Sequence, residues 1–318
     1  MGATRLSRPW LARMHDVLSQ HVECGELTGL TALVARRGEV HTDAVGTVTA
    51  DGAPAGPGTI FRISSMTKPV VAAAAMILIE ECVVRLDEPV DRLLPELADR
   101  SVLRERGAAL TDTVPAQRPV TVRDLLTFTM GLGLIFAAPG TVPIADALAD
   151  PALGQGPPSP AGMAAPDQWL ARLGQLPLAY QPGAAWLYNT SADVLGVLVA
   201  RAAGQPLGAF LRERLFGPLG MHDTGFSVPA GDISRLAVSR ASHPGTGEPF
   251  VYDEAAGGHG AILTREEPDR DPMFAALAGT RGCGRSRARS RLYILSIRPL
   301  VCYLRIYKRD VDRSRSIG

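Results

Sequence analysis

Phe61-Arg62-Ile63-Ser64-Ser65-Met66-Thr67-Lys68-Pro69-Val70 reads as the end of a strand, a short turn and the opening of a helix. The turn puts Ser65 at the helix start and Lys68 three residues on. Side chains three apart on a helix share a face, with Cβ atoms about 5–6 Å apart, so Lys68 reaches the Ser65 hydroxyl. A free serine is a weak nucleophile and needs a base beside it. A lysine in a drying pocket next to a second charged group can lose its proton near neutral pH and act as that base. The helix N-terminus adds N–H groups and partial positive charge where an oxyanion would form. Pro69 falls in the first helical turn, where proline is tolerated. Val70 to Ile79 is almost wholly apolar, which predicts a helix buried all round. Ser-x-x-Lys alone is a weak signal, more often met as an ordinary N-cap serine and a surface lysine. The buried helix behind it is what gives it weight.

Outward from this turn, the N-terminal side carries strand signals. Leu11, Met14, Val17, Leu18 and Val22 recur at helical spacing and predict a first amphipathic helix. Residues 31–36 read as a strand, 37–39 as a turn and 40–49 as the return strand of an antiparallel sheet. On the C-terminal side helices dominate from about residue 76 to 230, with a short helical piece at 90–97. Thr121 with Asp124 three residues on is an acidic variant of the capping box. Residues 137–166, rich in Ala, Pro and Gly, exclude one long helix and read as a lid over a cleft or a surface excursion. A short helix is expected at 169–176 and a second buried helix at Ala192–Ala203, ended by Gly204. A further helix is expected at Phe210–Phe216, and more strands after 230.

The decapeptide resembles the nucleophile segment of the serine β-lactamase and penicillin-binding-protein superfamily, closest to the class C-like branch that includes carboxylesterases of the same fold. The resemblance runs from about residue 25 to 257. It implies an α+β fold, an antiparallel β-sheet flanked by helices with a largely helical second region. It also implies a tyrosine a hundred residues or more beyond the serine, turned toward serine and lysine. Tyr188 fits that place, within Pro182-Gly183-x-x-Trp186-x-Tyr188 and the apolar helix after it. A phenol ionises near pH 10 unless a cation sits beside it, and Lys68 can be that cation. A coupled pair of this kind titrates together. The family's Tyr-x-Asn is here Tyr188-Asn189-Thr190, which tilts the expectation toward esters over β-lactams. Thr121 to Leu132 resembles the family's segment bordering the site, with Phe128 and Met130 in place of polar residues. It reads equally as a structural helix.

By resemblance, then, the catalytic residues are Ser65, Lys68 and Tyr188, and the expected protein is a serine hydrolase working through an acyl-enzyme on esters or related acyl substrates. Two alternatives stand: a β-lactam or D-Ala-peptide hydrolase, and a catalytically inactive binding protein. No metal and no organic cofactor is implied. The expected partner is a small-molecule acyl substrate, with no nucleic acid and no membrane; the oligomeric state is open.

The family's third motif, a Lys/His/Trp-x-Gly triplet on a strand lining the oxyanion hole, has no clear counterpart. Gly258-His259-Gly260-Ala261 comes too soon after Tyr188. A missing oxyanion donor would cost roughly 10²–10³ in turnover. Residues 281–318 carry eleven Lys/Arg against two Asp/Glu, a net +9 where the whole chain is +1. This tail reads as the text of a shifted frame or a truncated gene, or else as a basic nucleic-acid arm without a recognition motif. Residues 1–280 are expected to form the hydrolase domain, incomplete in its C-terminal strands. Four scattered cysteines (24, 82, 283, 302) predict reduced thiols, with Cys82 in the core. No secretory signal or membrane-length apolar run is read, so the expected compartment is the cytoplasm.

Overall fold

A computed structural model describes residues 6–49, 51–153, 164–238, 240–242, 246, 249–251 and 277–279. The chain divides into two compact units. The first holds helix α1 (Arg8–Glu23) and the antiparallel hairpin of β1 (Gly29–Arg36) and β2 (Glu39–Gly46). Arg37 and Gly38 make the two-residue turn, both at positive φ (48° and 87°). That is the mirror-image turn whose twist matches paired strands. α1 packs on β2 but buries none of its residues fully, and Val17 of the expected apolar stripe is exposed.

The second unit carries the buried helices. Its strand β3 (Ile60–Arg62) pairs antiparallel with β8 (Leu277–Gly279). The Ala237 N–H also donates to the Ile60 carbonyl (2.8 Å), and Ile60 packs with Val228 and Leu236. β3 runs into a 3₁₀ turn, Ser64–Met66, and then α2 (Thr67–Glu80). α2 packs against α6 (Thr190–Ala203), whose first ten residues are all buried. Against α6 pack α3 (Val122–Thr127), α5 (Pro166–Gly174) and α7 (Leu207–Leu211), and the unit also holds α4 (Pro143–Leu148). Each fully buried leucine or valine here contributes about 1.5–3 kcal/mol relative to exposure. α5 adds Trp169, whose Nε1–H donates to the Leu153 carbonyl at 3.0 Å. α6 ends on Gly204 at φ 65°, the left-handed cap expected of it.

Several expectations are corrected. α2 is not buried all round: Val70, Val71, Ala74, Ala75 and Leu78 face inward, whereas Met76 is exposed. An apolar run loses its 3.6-residue period, so the outer face is invisible in it. Cys82 is not core; it is exposed, at φ 60°, in the turn that ends α2. The helical region also contains a hairpin of β4 (Ser101–Leu103) and β5 (Thr113–Pro115). Strands of three residues are too short to show alternation. The 3₁₀ turns at Val90–Arg92 and Pro95–Leu97 replace the single helical piece. The segment read as a lid or excursion contains α4, and Ile144, Leu148 and Leu153 are buried, so that part is anchored. Strands do follow residue 230: β6 (Arg240–Ser242) pairs with β7 (Pro249–Val251), and β8 with β3. The Gly258-His259-Gly260-Ala261 text and the 281–318 tail lie outside the described residues. Among the described residues no single helix is long and apolar enough to cross a membrane.

Candidate active site

The Ser65 turn is shaped by its neighbours. Ser64 adopts φ 41°, unusual for a residue with a side chain, and the Met66 N–H closes the turn onto the Ile63 carbonyl at 2.8 Å. Strained backbone of this kind costs about 1–3 kcal/mol and concentrates at working sites. Ser65 is left exposed while Lys68, one turn later, is 9% exposed. The Lys68 Nζ donates to Ser65 Oγ at 3.0 Å. The two side chains expected to be nucleophile and base are therefore within hydrogen-bond reach, in the 3₁₀ turn and the first turn of α2 rather than within one regular helix.

Tyr188 is delivered from a second direction. Thr121 caps α3 with the full reciprocal box: the Asp124 N–H donates to Thr121 Oγ, and the Thr121 N–H donates to Asp124 Oδ2 at 2.9 Å. Arg118 adds a two-pronged pair to Asp124, at 2.6 and 2.8 Å, and Thr129 Oγ a further bond at 3.2 Å. Burial opposes ionisation of Asp124, but the Arg118 and Thr121 hydrogen bonds outweigh it and hold the carboxyl below its ordinary 3.8. From this fixed turn the chain pairs with the segment leading to Tyr188. The Gly183 N–H donates to the Thr129 carbonyl, Leu187 to Phe128 and Leu134 to Tyr188, each at 2.8 Å. Gly133 is required: a Cβ there would lie 2.7 Å from both the Tyr188 carbonyl and Leu187 Cβ.

The segment is thus both cap and contact. Phe128, at φ 61°, stacks on Tyr188 (centroids 6.0 Å apart) and meets Trp186 (6.0 Å). Trp186 in turn stacks on Tyr188 at 5.8 Å and is 63% exposed. Lys68 Nζ lies 4.7 Å from the centroid of the Tyr188 ring, a cation–π contact. The structure therefore brings Ser65, Lys68 and Tyr188 together, and the contact it shows for Tyr188 is through the ring face. Beyond Tyr188, Asn189 takes φ 89° and ψ −83° to start α6. Three of the positive-φ non-glycine positions, Ser64, Phe128 and Asn189, are at or next to residues of this site; Arg37, Cys82 and Asp99 lie elsewhere.

The stacking of the named aromatic residues and the buried acid Asp193 have no counterpart in the sequence pattern. Phe128 and Trp186 form an aromatic shelf with Tyr188, and no periodicity marks such a shelf. Asp193 on α6 is 1% exposed, and neither of its oxygens has a hydrogen-bond partner. Burial drives its carboxyl well above the ordinary 3.8, and the charge of Lys68 opposes that. A lone acid in the apolar run after Tyr188 was the available signal. Among the described residues no group of three or more His, Cys, Asp or Glu could hold a metal ion. The chemistry on offer is proton transfer from an exposed hydroxyl to a buried lysine, beside a ring that stabilises positive charge.

The family profile named Beta-lactamase matches residues 14–288. An uncharacterised protein of Mycobacterium tuberculosis is 40% identical over 239 residues, covering 72% of this chain and 57% of that protein. Esterase EstB of Burkholderia gladioli is 36% identical over 273 residues, covering 81% of this chain and 62% of EstB. The chain thus spans about six-tenths of the length of these relatives. Among solved structures, EstCE1, a hydrolase with promiscuous acyltransferase activity, superposes with a TM-score of 0.64 at 28% identity, covering 85% of this chain and 69% of EstCE1. The chain belongs to the beta-lactamase family.

Proposed function

We propose that this protein is a serine hydrolase that cleaves carboxylic esters bearing an apolar group, through an acyl-enzyme on Ser65. The observation that carries it is the 3.0 Å bond between Lys68 Nζ and Ser65 Oγ, with the Tyr188 ring against the same nitrogen. Lys68 in its amine form takes the Ser65 proton as Oγ bonds to the carbonyl carbon. The ammonium so formed rests on the Tyr188 ring face and returns the proton to the departing alkoxide. Water then repeats the sequence in reverse order and frees the acid. The Ser65 N–H, in the turn before α2, is one oxyanion donor.

The preference for esters over β-lactams rests on two supports. Thr190 stands where the family has asparagine, and the relative EstB is named an esterase. The Phe128–Trp186–Tyr188 shelf supports an apolar acyl or alcohol group lying flat on aromatic rings. The test compares kcat/KM for a nitrophenyl ester series of rising chain length with that for a chromogenic cephalosporin. The proposal expects ester turnover that rises with chain length and disappears in Ser65→Ala. Faster cephalosporin opening would favour the β-lactam reading; ester turnover unchanged in Ser65→Ala would leave a binding protein.

A further inference from the structure

Helix α1 meets strand β2 through one face of each. Arg8, Leu11, Ala12 and His15 stand at i, i+3, i+4 and i+7, the spacing of a single helix face. Glu39, His41 and Asp43 alternate onto one face of the strand. The two faces do not close on each other. α1 buries none of its residues fully, and a cavity of about 490 Å³ lies against these residues and Leu6. That volume falls in the range of roughly 300–1,000 Å³ of small-molecule pockets. The cavity lies within the first unit, and Ser65, Lys68 and Tyr188 do not line it.

Both carboxylates in the lining are already answered. Glu39 Oε2 accepts from the Leu6 N–H at 2.7 Å, and Asp43 Oδ1 accepts from His15 Nδ1 at 2.9 Å. The donors are not. Among the described residues the Arg8 guanidinium and the half-buried His41 ring have no hydrogen-bond or ion-pair partner. The spare hydrogen-bonding capacity of the cavity is therefore on the donor side, and a ligand that fits must bring acceptors.

The lining also selects among anions. A carboxylate matches the planar fork of Arg8. The Asp43 carboxylate pushes His15 toward its charged form, so the positive and negative side chains around the cavity balance. A single added negative charge is then answered by Arg8, whereas the second charge of a phosphate would face Glu39 and Asp43. Leu6, Leu11 and Ala12 form an apolar wall, which an inorganic anion leaves wet and a hydrocarbon chain covers.

We propose that the cleft between α1 and β2 binds an aliphatic monocarboxylate, with its carboxylate on Arg8 and His41 and its chain against Leu6, Leu11 and Ala12. The site uses no residue of the Ser65 pocket and stands or falls apart from the hydrolase reading.

Equilibrium dialysis of the full chain against radiolabelled hexanoate at fixed ionic strength tests it. Wild type should bind hexanoate saturably. Arg8→Gln should weaken binding about tenfold or more, the loss of a charge-assisted pair. Unlabelled acetate should compete about tenfold or more less well than hexanoate, because it lacks the methylenes that cover the wall. Arg8 is exposed, so its replacement is expected to fold. Should it not, His41→Leu is expected to weaken binding in the same direction. No saturable binding, or equal binding in wild type, Arg8→Gln and His41→Leu, would overturn the proposal. So would inorganic phosphate competing better than hexanoate. Hexanoate held instead as a product at Ser65 would survive Arg8→Gln, and so counts against this site.

Discussion

Two turns of this protein look alike on paper and differ in kind. Ser65-x-x-Lys68 and Thr121-x-x-Asp124 each place a hydroxyl and a charge three residues apart at a helix start. At Thr121 every polar group is answered: the box closes on itself and Arg118 neutralises the acid. At Ser65 the hydroxyl is exposed, the lysine behind it is buried, and α6 sets a carboxyl without hydrogen bonds in its field. The satisfied turn is architecture, fixing the loop that carries Phe128 and orients Tyr188. The unsatisfied turn stores the chemistry. Hydrogen-bond completion separates the two where spacing does not.

The sharpest break between the turns is in rate. Ser65→Ala should lower ester kcat by about 10⁴-fold or more while leaving the melting temperature nearly unchanged, because the serine is exposed. Tyr188→Phe keeps the ring against Lys68 but removes the phenol. A loss of about 10²-fold or more would make the hydroxyl part of proton transfer, whereas near-wild-type turnover would leave the ring as the working part. Both are read from steady-state rates on one nitrophenyl ester.

The closed turn should respond in stability instead. Asp124→Ala strips the cap and strands Arg118, at a cost of about 2–3 kcal/mol. Calorimetry should show the melting temperature falling by roughly 5–10 °C, with turnover per folded molecule little changed.

The two carboxyls also give opposite signs with pH. Asp124 has a folded pKa below 3.8, so its contribution is complete above that value and is lost as pH falls through the folded pKa. Asp193 has a folded pKa above 3.8, so the folded chain holds a proton the unfolded chain releases. Its contribution is present at low pH and is lost as pH rises through the folded pKa. Melting curves of wild type and Asp193→Asn should therefore diverge in favour of the variant as pH rises, and parallel curves would contradict this.

The smallest effect is expected at the shelf. Trp186→Ala should raise KM for a long-chain ester about five- to tenfold, an aromatic contact of roughly 1 kcal/mol, and leave a short-chain ester unaffected. Equal losses for both esters would remove the shelf from substrate selection.

What the chain disclosed beforehand follows the same division. The Thr121 box, the Arg37–Gly38 hairpin and the Gly204 cap were legible because local chemistry dictates them. The meeting of Ser65 and Lys68 was legible in their spacing, but that Tyr188 joins them was legible only through resemblance, since it is brought in by pairing of residues 128–134 with 183–188. Asp193 was missed, and the role of Phe128 stayed open between contact and structural helix, because their meaning lies in what surrounds them: an acid without a donor, and a ring stacked on another 60 residues away. Cys82 was misplaced because an apolar run does not announce where its helix ends.

Activation of Ser65 as a nucleophile by Lys68 is the central claim. Its most direct test is intact-mass and peptide mass spectrometry of the full chain after exposure to a fluorophosphonate. One adduct per molecule, on Ser65, lost in Lys68→Met, is the predicted result. Labelling elsewhere, or equal labelling of Ser65 with and without Lys68, would contradict it.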